Sequence, residues 1–441
     1  MTRLPLAALA LTLLAGCAYP YTPPALPPIG ESAASASARA TTPRPAADAV
    51  APRAPVTILV SIDGFRPDYL TRGLTPNLSR LAAEGVSASM RPSFPSKTFP
   101  NHWTLVTGLV PDRHGIVANG FTDPAHPDAR FTMASDQPYW WNAAEPIWIT
   151  AEKAGIPTAT MFWPGSNVAW GGTFHPGDYG GTVTGGMRPH DWQQFNQNVT
   201  DRQRVDSIID WLRRPAASRP HFLTLYFDEV DSAGHDAGPD SPQVNAAVGK
   251  VDEAIGRLLA GLAELGQPAN LVVVADHGMA ATSSDRIVTE DSLVDPADAV
   301  MTEDGPYATF RAVPGHEAAL EHRLLGHHDH ADCWRSPAMP ARFHYGRNPR
   351  IPPYFCLAQT GWLIQAKRPD APFAKGTHGY DNADPAMAAL FIAQGPAFRS
   401  GVRLAPFDNV DVAPLLRDLI GLPAGRGLDG NDAPFRRVFK R

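Results

Sequence analysis

The sequence VTILVS, from Val56 to Ser61, is followed two residues later by Asp63. This short, mainly β-branched and apolar run is typical of a strand buried on both faces of a parallel sheet. Two later runs have the same character, FLTLYF at Phe222–Phe227 and LVVVA at Leu271–Ala275, and acidic residues follow each of them. We therefore predict three strands that each deliver a carboxylate to the same end of one sheet.

Histidines accompany the acids after these strands. Asp231 and His235 follow the second run, the doublet Asp276-His277 follows the third, and His378 lies further along the chain. Carboxylates that meet at one sheet edge repel each other unless a cation holds them. Because imidazole nitrogen favours transition metals over Mg²⁺ and Ca²⁺, which prefer oxygen ligands, the pattern predicts a zinc-type site.

Strand-like and helix-like segments alternate from residue 56 onwards, which predicts an α/β fold with a mostly parallel central sheet and helices on both faces. Between about residues 296 and 363 the apolar runs shorten and Pro, His and Arg become frequent, which indicates a small inserted cap. We expect residues 56–441 to form a single catalytic domain. The predicted helices include Thr75–Ala83, Arg202–Arg213, Pro242–Leu265 and Val410–Leu419, and further strands are Thr158–Phe162 and Ala388–Ala393.

The N-terminal segment has the features of an export signal. Arg3 precedes an apolar run, Leu4–Leu14, that is too short to span a bilayer. The following LAGC sequence resembles a bacterial lipoprotein cleavage box that ends at Cys17. We expect residues 1–17 to be a lipoprotein signal segment and residues 18–55, rich in Pro, Ala and Ser, to be a disordered tether. The protein would then be lipid-anchored to the bacterial membrane facing the periplasm, or periplasmic if Cys17 is not lipidated.

The cysteine count and the net charge add two expectations. Of three cysteines, Cys17 is the expected lipid site, and an exported protein can pair the remaining Cys333 and Cys356 as a disulfide. The net charge of −6 gives no sign of a nucleic-acid-binding surface. A polyanionic substrate would have to be attracted locally, by bound metal.

A candidate nucleophile lies between the first two groups of acids. In KTFPNH, from Lys97 to His102, Pro100 falls where the first turn of a helix tolerates proline. Thr98 would then lie at a helix N-terminus, where free N–H groups favour anions such as phosphate. A hydroxyl beside a metal can act there as a nucleophile, although a lone threonine is more readily explained as a helix N-cap.

Five short motifs follow one another along the chain: DGFR at Asp63–Arg66, KTFPNH at Lys97–His102, DSAGH at Asp231–His235, DHGM at Asp276–Met279 and GTHG at Gly376–Gly379. In this order they resemble the nucleotide pyrophosphatase/phosphodiesterase family of the alkaline phosphatase superfamily. The resemblance covers Val56 to about Leu419 and implies an alkaline-phosphatase-like fold with two zinc ions per chain. It also implies hydrolysis of nucleotides or related diesters to nucleoside monophosphates, through a covalent phospho-threonine intermediate.

The resemblance also implies a role for each candidate residue. Thr98 would attack phosphorus, and Asn119 with the backbone N–H near Phe99 would donate hydrogen bonds to the phosphoryl oxygen. Phe99 and Phe195 would enclose the nucleobase or other leaving moiety. One zinc would be held by Asp231, His235 and His378, and the other by Asp63, Thr98, Asp276 and His277.

Three alternatives stay open. Phosphonoacetate hydrolase and a choline-type phosphodiesterase belong to the same superfamily, but the aromatic Phe99 and Phe195 favour a larger, flat moiety over a small acid. A zinc- or ligand-binding surface lipoprotein would not need Thr98 or Asn119.

A separate histidine group, His327–His330, is interpreted as a solvated loop.

Overall fold

Strand Val56–Ile62 lies inside a nine-stranded sheet, and all seven of its residues are buried. The computed structural model describes residues 53–177 and 180–440. Parallel strands flank Val56–Ile62 on both sides, Phe222–Phe227 on one and Ala269–Val274 on the other. Burial on both faces of the sheet explains why these three sequences are almost uninterrupted apolar runs.

The strands are β1 (Val56–Ile62), β2 (Val86–Arg91), β3 (Phe121–Asp123), β4 (His126–Phe131), β5 (Thr158–Met161), β6 (Thr173–His175), β7 (Thr182–Thr184), β8 (Asp191–Gln193), β9 (Phe222–Phe227), β10 (Ala269–Val274), β11 (Ala280–Ser283), β12 (Ile287–Thr289), β13 (Ala299–Glu303), β14 (Tyr307–Ala312), β15 (Gly326–His328), β16 (Ala331–Arg335), β17 (Tyr354–Ala358), β18 (Leu363–Gln365), β19 (Ala374–Thr377), β20 (Ala389–Gln394), β21 (Val402–Arg403) and β22 (Phe407–Asp408). The α-helices are α1 (Pro76–Glu84), α2 (Thr98–Thr107), α3 (Pro111–His114), α4 (Pro138–Trp141), α5 (Ile147–Lys153), α6 (Asp201–Arg213), α7 (Glu229–Ala237), α8 (Pro242–Glu264), α9 (Glu290–Leu293), α10 (Glu317–Leu324) and α11 (Val412–Leu419).

The central sheet has the strand order β21-β2-β20-β10-β1-β9-β5-β8, with β22 also paired to β2. Its pairings are parallel except those of β20 with β10 and with β2. The predicted α/β fold with a mostly parallel sheet is therefore confirmed. The predicted helices and strands agree with the observed ones to within two residues at each end.

Local sequence signals explain where the two longest helices begin. Thr200 and Gln203 form a capping box at the start of α6, which satisfies N–H groups that the helix itself leaves unpaired. Ser241 accepts a hydrogen bond from the Val244 N–H at the start of α8, and Pro242 occupies the first turn. These caps fix the helices that follow β8 and α7.

A second sheet lies between residues 299 and 358, inside the segment expected to form a cap. Its strand order is β13-β14-β17-β16-β15, and its pairings are antiparallel. Cys333 on β16 and Cys356 on β17 are paired in register and form a disulfide. The shorter apolar runs noted in this segment correspond to these half-buried antiparallel strands.

The expected signal segment, with Cys17, and all but the last three residues of the expected tether lie outside the described residues. Within the described part of the chain, none of the helices has the length and apolar character needed to cross a membrane.

Candidate functional site

The candidate ligands converge at the carboxyl ends of the three central strands. Asp63 directly follows β1, and Asp276 lies two residues after β10. Helix α7 begins two residues after β9 and carries Asp231 and His235 one turn apart, so both face the same side. His378 comes directly after β19. One end of the sheet thus gathers residues that are far apart in sequence.

The three histidines of this cluster share one hydrogen-bonding arrangement. The Nδ1 atoms of His235, His277 and His378 lie 3.0, 2.9 and 2.8 Å from backbone carbonyl oxygens. A carbonyl oxygen can only accept, so each Nδ1 carries a proton, and Nε2 is the atom of each ring that can offer a lone pair to a metal ion. This is the arrangement that orients histidines as metal ligands. The carbonyl groups belong to Gly376, Gly278 and Ser96, respectively.

The Nε2 atoms of these rings face one another and the neighbouring carboxylates. His235 Nε2 and His378 Nε2 are 3.1 Å apart. His277 Nε2 lies 2.9 Å from an oxygen of Asp276 and 3.4 Å from an oxygen of Asp63. Lone pairs that face each other at these distances repel unless a cation lies between them.

Three carboxylate oxygens in the cluster are buried and accept no hydrogen bond from the described residues: Asp63 Oδ1, Asp231 Oδ1 and Asp276 Oδ2. Burial, followed by the neighbouring Asp276 and Asp231, raises the pKa of Asp63 well above its ordinary value. Burial and Asp231 raise the pKa of Asp276 in the same way. Unpaired carboxylate oxygens beside imidazole lone pairs are the donors that zinc binds, so the residues fit a metal ion.

The donor atoms fall into two groups, each within 4.8 Å: Asp231, His277 and His378 form one, and Asp63, His102 and Asp276 the other. His102 is already engaged, since its Nδ1 donates to the Thr98 carbonyl at 2.8 Å and its Nε2 lies 2.8 Å from Ser61 Oγ. His277, a member of the first group, has its Nε2 only 2.9 Å from an Asp276 oxygen, so it is better placed than His102 to complete the second group. His102 thus holds the backbone of Thr98.

Thr98 is the first residue of α2, only 8% exposed, and its Oγ1 lies 3.2 Å from His277 Nε2. Lys97 is the residue that caps the helix, so Thr98 does not have the N-cap role that a lone threonine would suggest. Buried Asn101 holds the preceding turn, because its amide nitrogen donates to the carbonyl groups of Pro95 and Lys97 at 3.0 and 2.9 Å. The hydroxyl therefore has a fixed place within the ligand cluster.

Asn119 lies beside Thr98, and its hydrogen bond with Phe99 fixes the orientation of its side-chain amide. The Phe99 N–H donates to Asn119 Oδ1 at 2.9 Å. The amide nitrogen of Asn119 is therefore the donor that remains for a ligand. This differs from the sequence-based expectation that the Phe99 N–H is itself available, because Asn119 already uses that group.

A cavity of about 370 Å³ opens next to Thr98. Phe99 and Phe195 both line it, as do Trp141, Phe162 and Trp163. Phe195 is 45% exposed and lies at the rim, whereas Phe99 packs against the aromatic core. The cavity thus joins the reactive cluster to an aromatic chamber of the size that small-molecule sites have. In the glycine-rich stretch between Gly171 and Gly186, β6 and β7 pair antiparallel.

One feature of the site was missed in the sequence. The Tyr226 hydroxyl donates to Asp63 Oδ2 at 2.7 Å, although a strand that is buried on both faces gives little sign of such a role. Outside the site, His327 and His328 lie on β15, and His330 lies in the turn before β16, where its ring stacks on Trp362 with the ring centres 3.5 Å apart. The segment interpreted as a solvated loop is therefore in part a strand.

The sequence and the fold both match known proteins. The family model for type I phosphodiesterases and nucleotide pyrophosphatases matches residues 57–381. The chain belongs to this family. That membership identifies it as an enzyme of the nucleotide pyrophosphatase/phosphodiesterase class, with an alkaline-phosphatase-like fold.

Relatives of this phosphodiesterase family differ in length. An uncharacterized pyrophosphatase/phosphodiesterase of Schizosaccharomyces pombe is 36% identical over 403 residues, covering 86% of this chain and 80% of the relative. Ectonucleotide pyrophosphatase/phosphodiesterase family member 3 of Rattus norvegicus is 36% identical over 385 residues, covering 83% of this chain but only 42% of the relative. The chain thus spans less than half of that longer protein.

Among solved structures, an inactive variant of murine ectonucleotide pyrophosphatase/phosphodiesterase 5 in complex with AMP superimposes with a TM-score of 0.80 at 32% identity. The superposition covers 88% of this chain and 100% of that structure.

Proposed function

We propose that this phosphodiesterase cleaves phosphodiester and pyrophosphate bonds of nucleotides, with Thr98 as nucleophile and a nucleoside monophosphate as product. The observation that carries the proposal is the position of Thr98 Oγ1, which lies 3.2 Å from His277 Nε2 at the mouth of the aromatic cavity. A nucleotide ligand is also what the murine relative binds in its AMP complex.

We assign two zinc ions to the ligand cluster. Such a pair, when bound, lowers the pKa of the attacking hydroxyl and neutralises the charge of the entering and leaving oxygens. The donor geometry supports the division into two sets, with His277 Nε2 at the boundary. The proposed ligands are Asp231, His235 and His378 for one ion, and Asp63, Thr98, Asp276 and His277 for the other. The first set is supported by the 3.1 Å contact between the two Nε2 atoms, which lie 3.5 and 3.6 Å from Asp231 oxygens. The second set is supported by the contacts of His277 Nε2 with Asp276, Asp63 and Thr98.

The residues of the chain carry the reaction in two steps. Thr98 Oγ1 forms a bond to phosphorus while the bond from phosphorus to the leaving-group oxygen breaks, which gives a phospho-threonine diester. The Asn119 amide nitrogen donates to a non-bridging oxygen as charge develops there. Water then attacks the same phosphorus and releases Thr98 and the nucleoside monophosphate. Asn101 and His102 keep Thr98 in place throughout.

Substitution of Thr98 tests the proposal. Thr98→Ala should lower the hydrolysis of nitrophenyl-TMP by on the order of 10³-fold or more, since it removes the nucleophile. Thr107→Ala, at the other end of α2, is the matched control and should retain activity within a few-fold. Full activity of Thr98→Ala would refute the nucleophile assignment.

The reaction class is tested by comparing nitrophenyl-phosphate, nitrophenyl-TMP and nitrophenyl-phosphorylcholine in the presence of zinc. The proposal requires the nucleotide diester to be the fastest. Faster cleavage of the monoester would contradict a diesterase. No hydrolysis of either diester would favour a zinc- or ligand-binding lipoprotein.

We also propose that the protein is exported and anchored through a lipid on Cys17. The LAGC sequence at residues 14–17 supports this, and so does the Cys333–Cys356 disulfide, because such bonds persist in oxidising compartments outside the cytoplasm. Metabolic labelling with a fatty acid should mark the wild type but not Cys17→Ser. Equal labelling of both would contradict the anchor.

A further inference from the structure

A buried arginine lies behind the wall of the aromatic cavity. Arg204 is only 1% exposed, and its guanidinium lies 5.7 Å from the centre of the Phe195 ring. Its Nε donates to the Val199 carbonyl at 2.9 Å, and its Nη1 donates to the Tyr226 carbonyl at 3.1 Å and to Asp228 Oδ1 at 2.7 Å. These contacts hold Asp228 rigidly beside Phe195.

Asp228 turns its second oxygen towards the cavity side. The residue lines the cavity together with Phe195 and Gln197. Among the described residues, Asp228 Oδ2 has only the Gln197 amide nitrogen as a hydrogen-bond partner, at 3.5 Å. Because Oδ1 is held by Arg204, Oδ2 remains available to accept a hydrogen bond from a ligand next to Phe195.

The other polar side chains that line this chamber discriminate less. Asp63, Thr98 and Asp231 also line the cavity but belong to the ligand cluster, and the Tyr226 hydroxyl donates to Asp63. The remaining polar side chains, Ser135, Asn167, Gln194, Gln197 and Ser232, each carry a group that can donate or accept, so they can adapt to either kind of ligand. A carboxylate accepts only. Asp228 is therefore the side chain in the chamber that can tell an amino group from a carbonyl group on a bound base.

We propose that Asp228 selects nucleotides whose base carries an amino group at purine C6 or pyrimidine C4, adenine or cytosine, over those with a carbonyl oxygen at the C4 position, thymine or uracil. This rests on the proposed nucleotide phosphodiesterase function. Adenine and cytosine present an N–H₂ donor on the edge where thymine presents a carbonyl acceptor. A base carbonyl oxygen placed against Asp228 Oδ2 brings two acceptors together with no hydrogen to share. Sites built to hydrogen-bond a substrate amino or hydroxyl group reject analogues that lack this group strongly.

The fixed arginine makes Asp228→Asn an informative variant. Arg204 can only donate, so the new amide must turn its oxygen towards Arg204 and its nitrogen towards the cavity. The substitution thereby replaces an acceptor with a donor at the same place and keeps the buried Arg204 contact. The preference should then move towards thymine and uracil.

The experiment measures kcat/KM of the zinc-loaded, full-length enzyme for the nitrophenyl esters of AMP, CMP, TMP and UMP. The wild type should cleave the AMP and CMP esters about tenfold or more faster than the TMP and UMP esters. Asp228→Asn should lower or invert that ratio through a rise in rate with the TMP ester as well as a fall with the AMP ester. The matched control, Asp370→Asn, removes a charge at a side chain that is 90% exposed and should leave the ratio unchanged.

Three results would overturn the proposal in different ways. Equal rates on all four esters, or an unchanged ratio in Asp228→Asn, would refute selection by Asp228 and leave the nucleotide phosphodiesterase function intact. Faster cleavage of nitrophenyl-phosphorylcholine than of every nucleotide ester would mean that Asp228 faces a cationic headgroup instead. Absence of hydrolysis of all the esters would refute the proposed function itself.

Discussion

His235 Nε2 and His378 Nε2 face each other at 3.1 Å, and each ring is oriented by a backbone carbonyl that takes its Nδ1 proton. A zinc ion bound by both nitrogens would stabilise this arrangement, so the contact supports the position proposed for one zinc ion. The ring orientation comes from the carbonyl groups of Gly376 and Ser96, which belong to different segments of the chain.

We expect His235→Ala to lose one of two zinc equivalents per chain at low free zinc, because one ligand set becomes incomplete. Metal content after dialysis against a buffered zinc solution measures this. His327→Ala is the control, since His327 lies in the second histidine group and is 82% exposed. The opposite result, with zinc lost from His327→Ala and kept by His235→Ala, would move the metal site to the hairpin β15–β16.

Tyr226→Phe should weaken zinc binding without removing a ligand. The Tyr226 hydroxyl donates to Asp63 Oδ2 at 2.7 Å and so orients this carboxylate. Loss of such a partner typically costs about 10- to 100-fold in metal affinity. A titration of activity with free zinc should show this shift, while Tyr345→Phe, which loses a buried hydrogen bond to the Val117 carbonyl, should show none. Identical zinc requirements in both variants would contradict the prediction.

The sequence was sufficient to predict the central sheet and the convergence of the candidate ligands, because both follow from local patterns. VTILVS and FLTLYF read as buried strands, and the acids that follow them must meet at one sheet edge. The orientation of the histidine rings could not be predicted, because it depends on the backbone carbonyl groups of Ser96 and Gly376. Every residue has such a carbonyl group, so the sequence does not show which ones a histidine will contact.

The contact of Arg204 with Asp228 could not be predicted from the sequence for a different reason. An arginine on an amphipathic helix usually faces solvent, and only the packing of α6 against β9 turns Arg204 inwards. The engagement of the Phe99 N–H by Asn119 likewise depends on the approach of the loop that carries Asn119 to the first turn of α2. Tertiary contacts of this kind have no local signature.

Removal of the disulfide should destabilise the protein by about 3 kcal/mol, as expected from the loop that it closes between Cys333 and Cys356, a separation of 23 residues. The double variant Cys333→Ala/Cys356→Ala can be compared with the wild type by urea unfolding. Dithiothreitol should lower the unfolding midpoint of the wild type and leave that of the variant unchanged. A variant as stable as the oxidised wild type would mean that the disulfide adds no stability.

Acid should destabilise the protein partly through His114, which is fully buried. The Ile116 N–H donates to His114 Nδ1 at 3.1 Å, so the neutral ring carries its proton on Nε2, 3.0 Å from Thr104 Oγ1. Burial lowers the pKa of His114 to about 3. The unfolded chain binds the proton near pH 6.5, so the stability from the neutral ring is present above that pH and is lost as the pH falls towards 3.

The loss should reach about 2 kcal/mol for this one residue between pH 6.5 and 5, at about 1.4 kcal/mol per pH unit. His114→Asn keeps an acceptor near the Ile116 N–H and cannot titrate in this range. Its stability at neutral pH should be lower than that of the wild type, but its unfolding free energy should fall less steeply with acid. Urea unfolding at several pH values measures both slopes, and His221→Asn, at an exposed position, should keep the wild-type slope. Parallel pH profiles for His114→Asn and the wild type would exclude His114 as a source of the acid sensitivity.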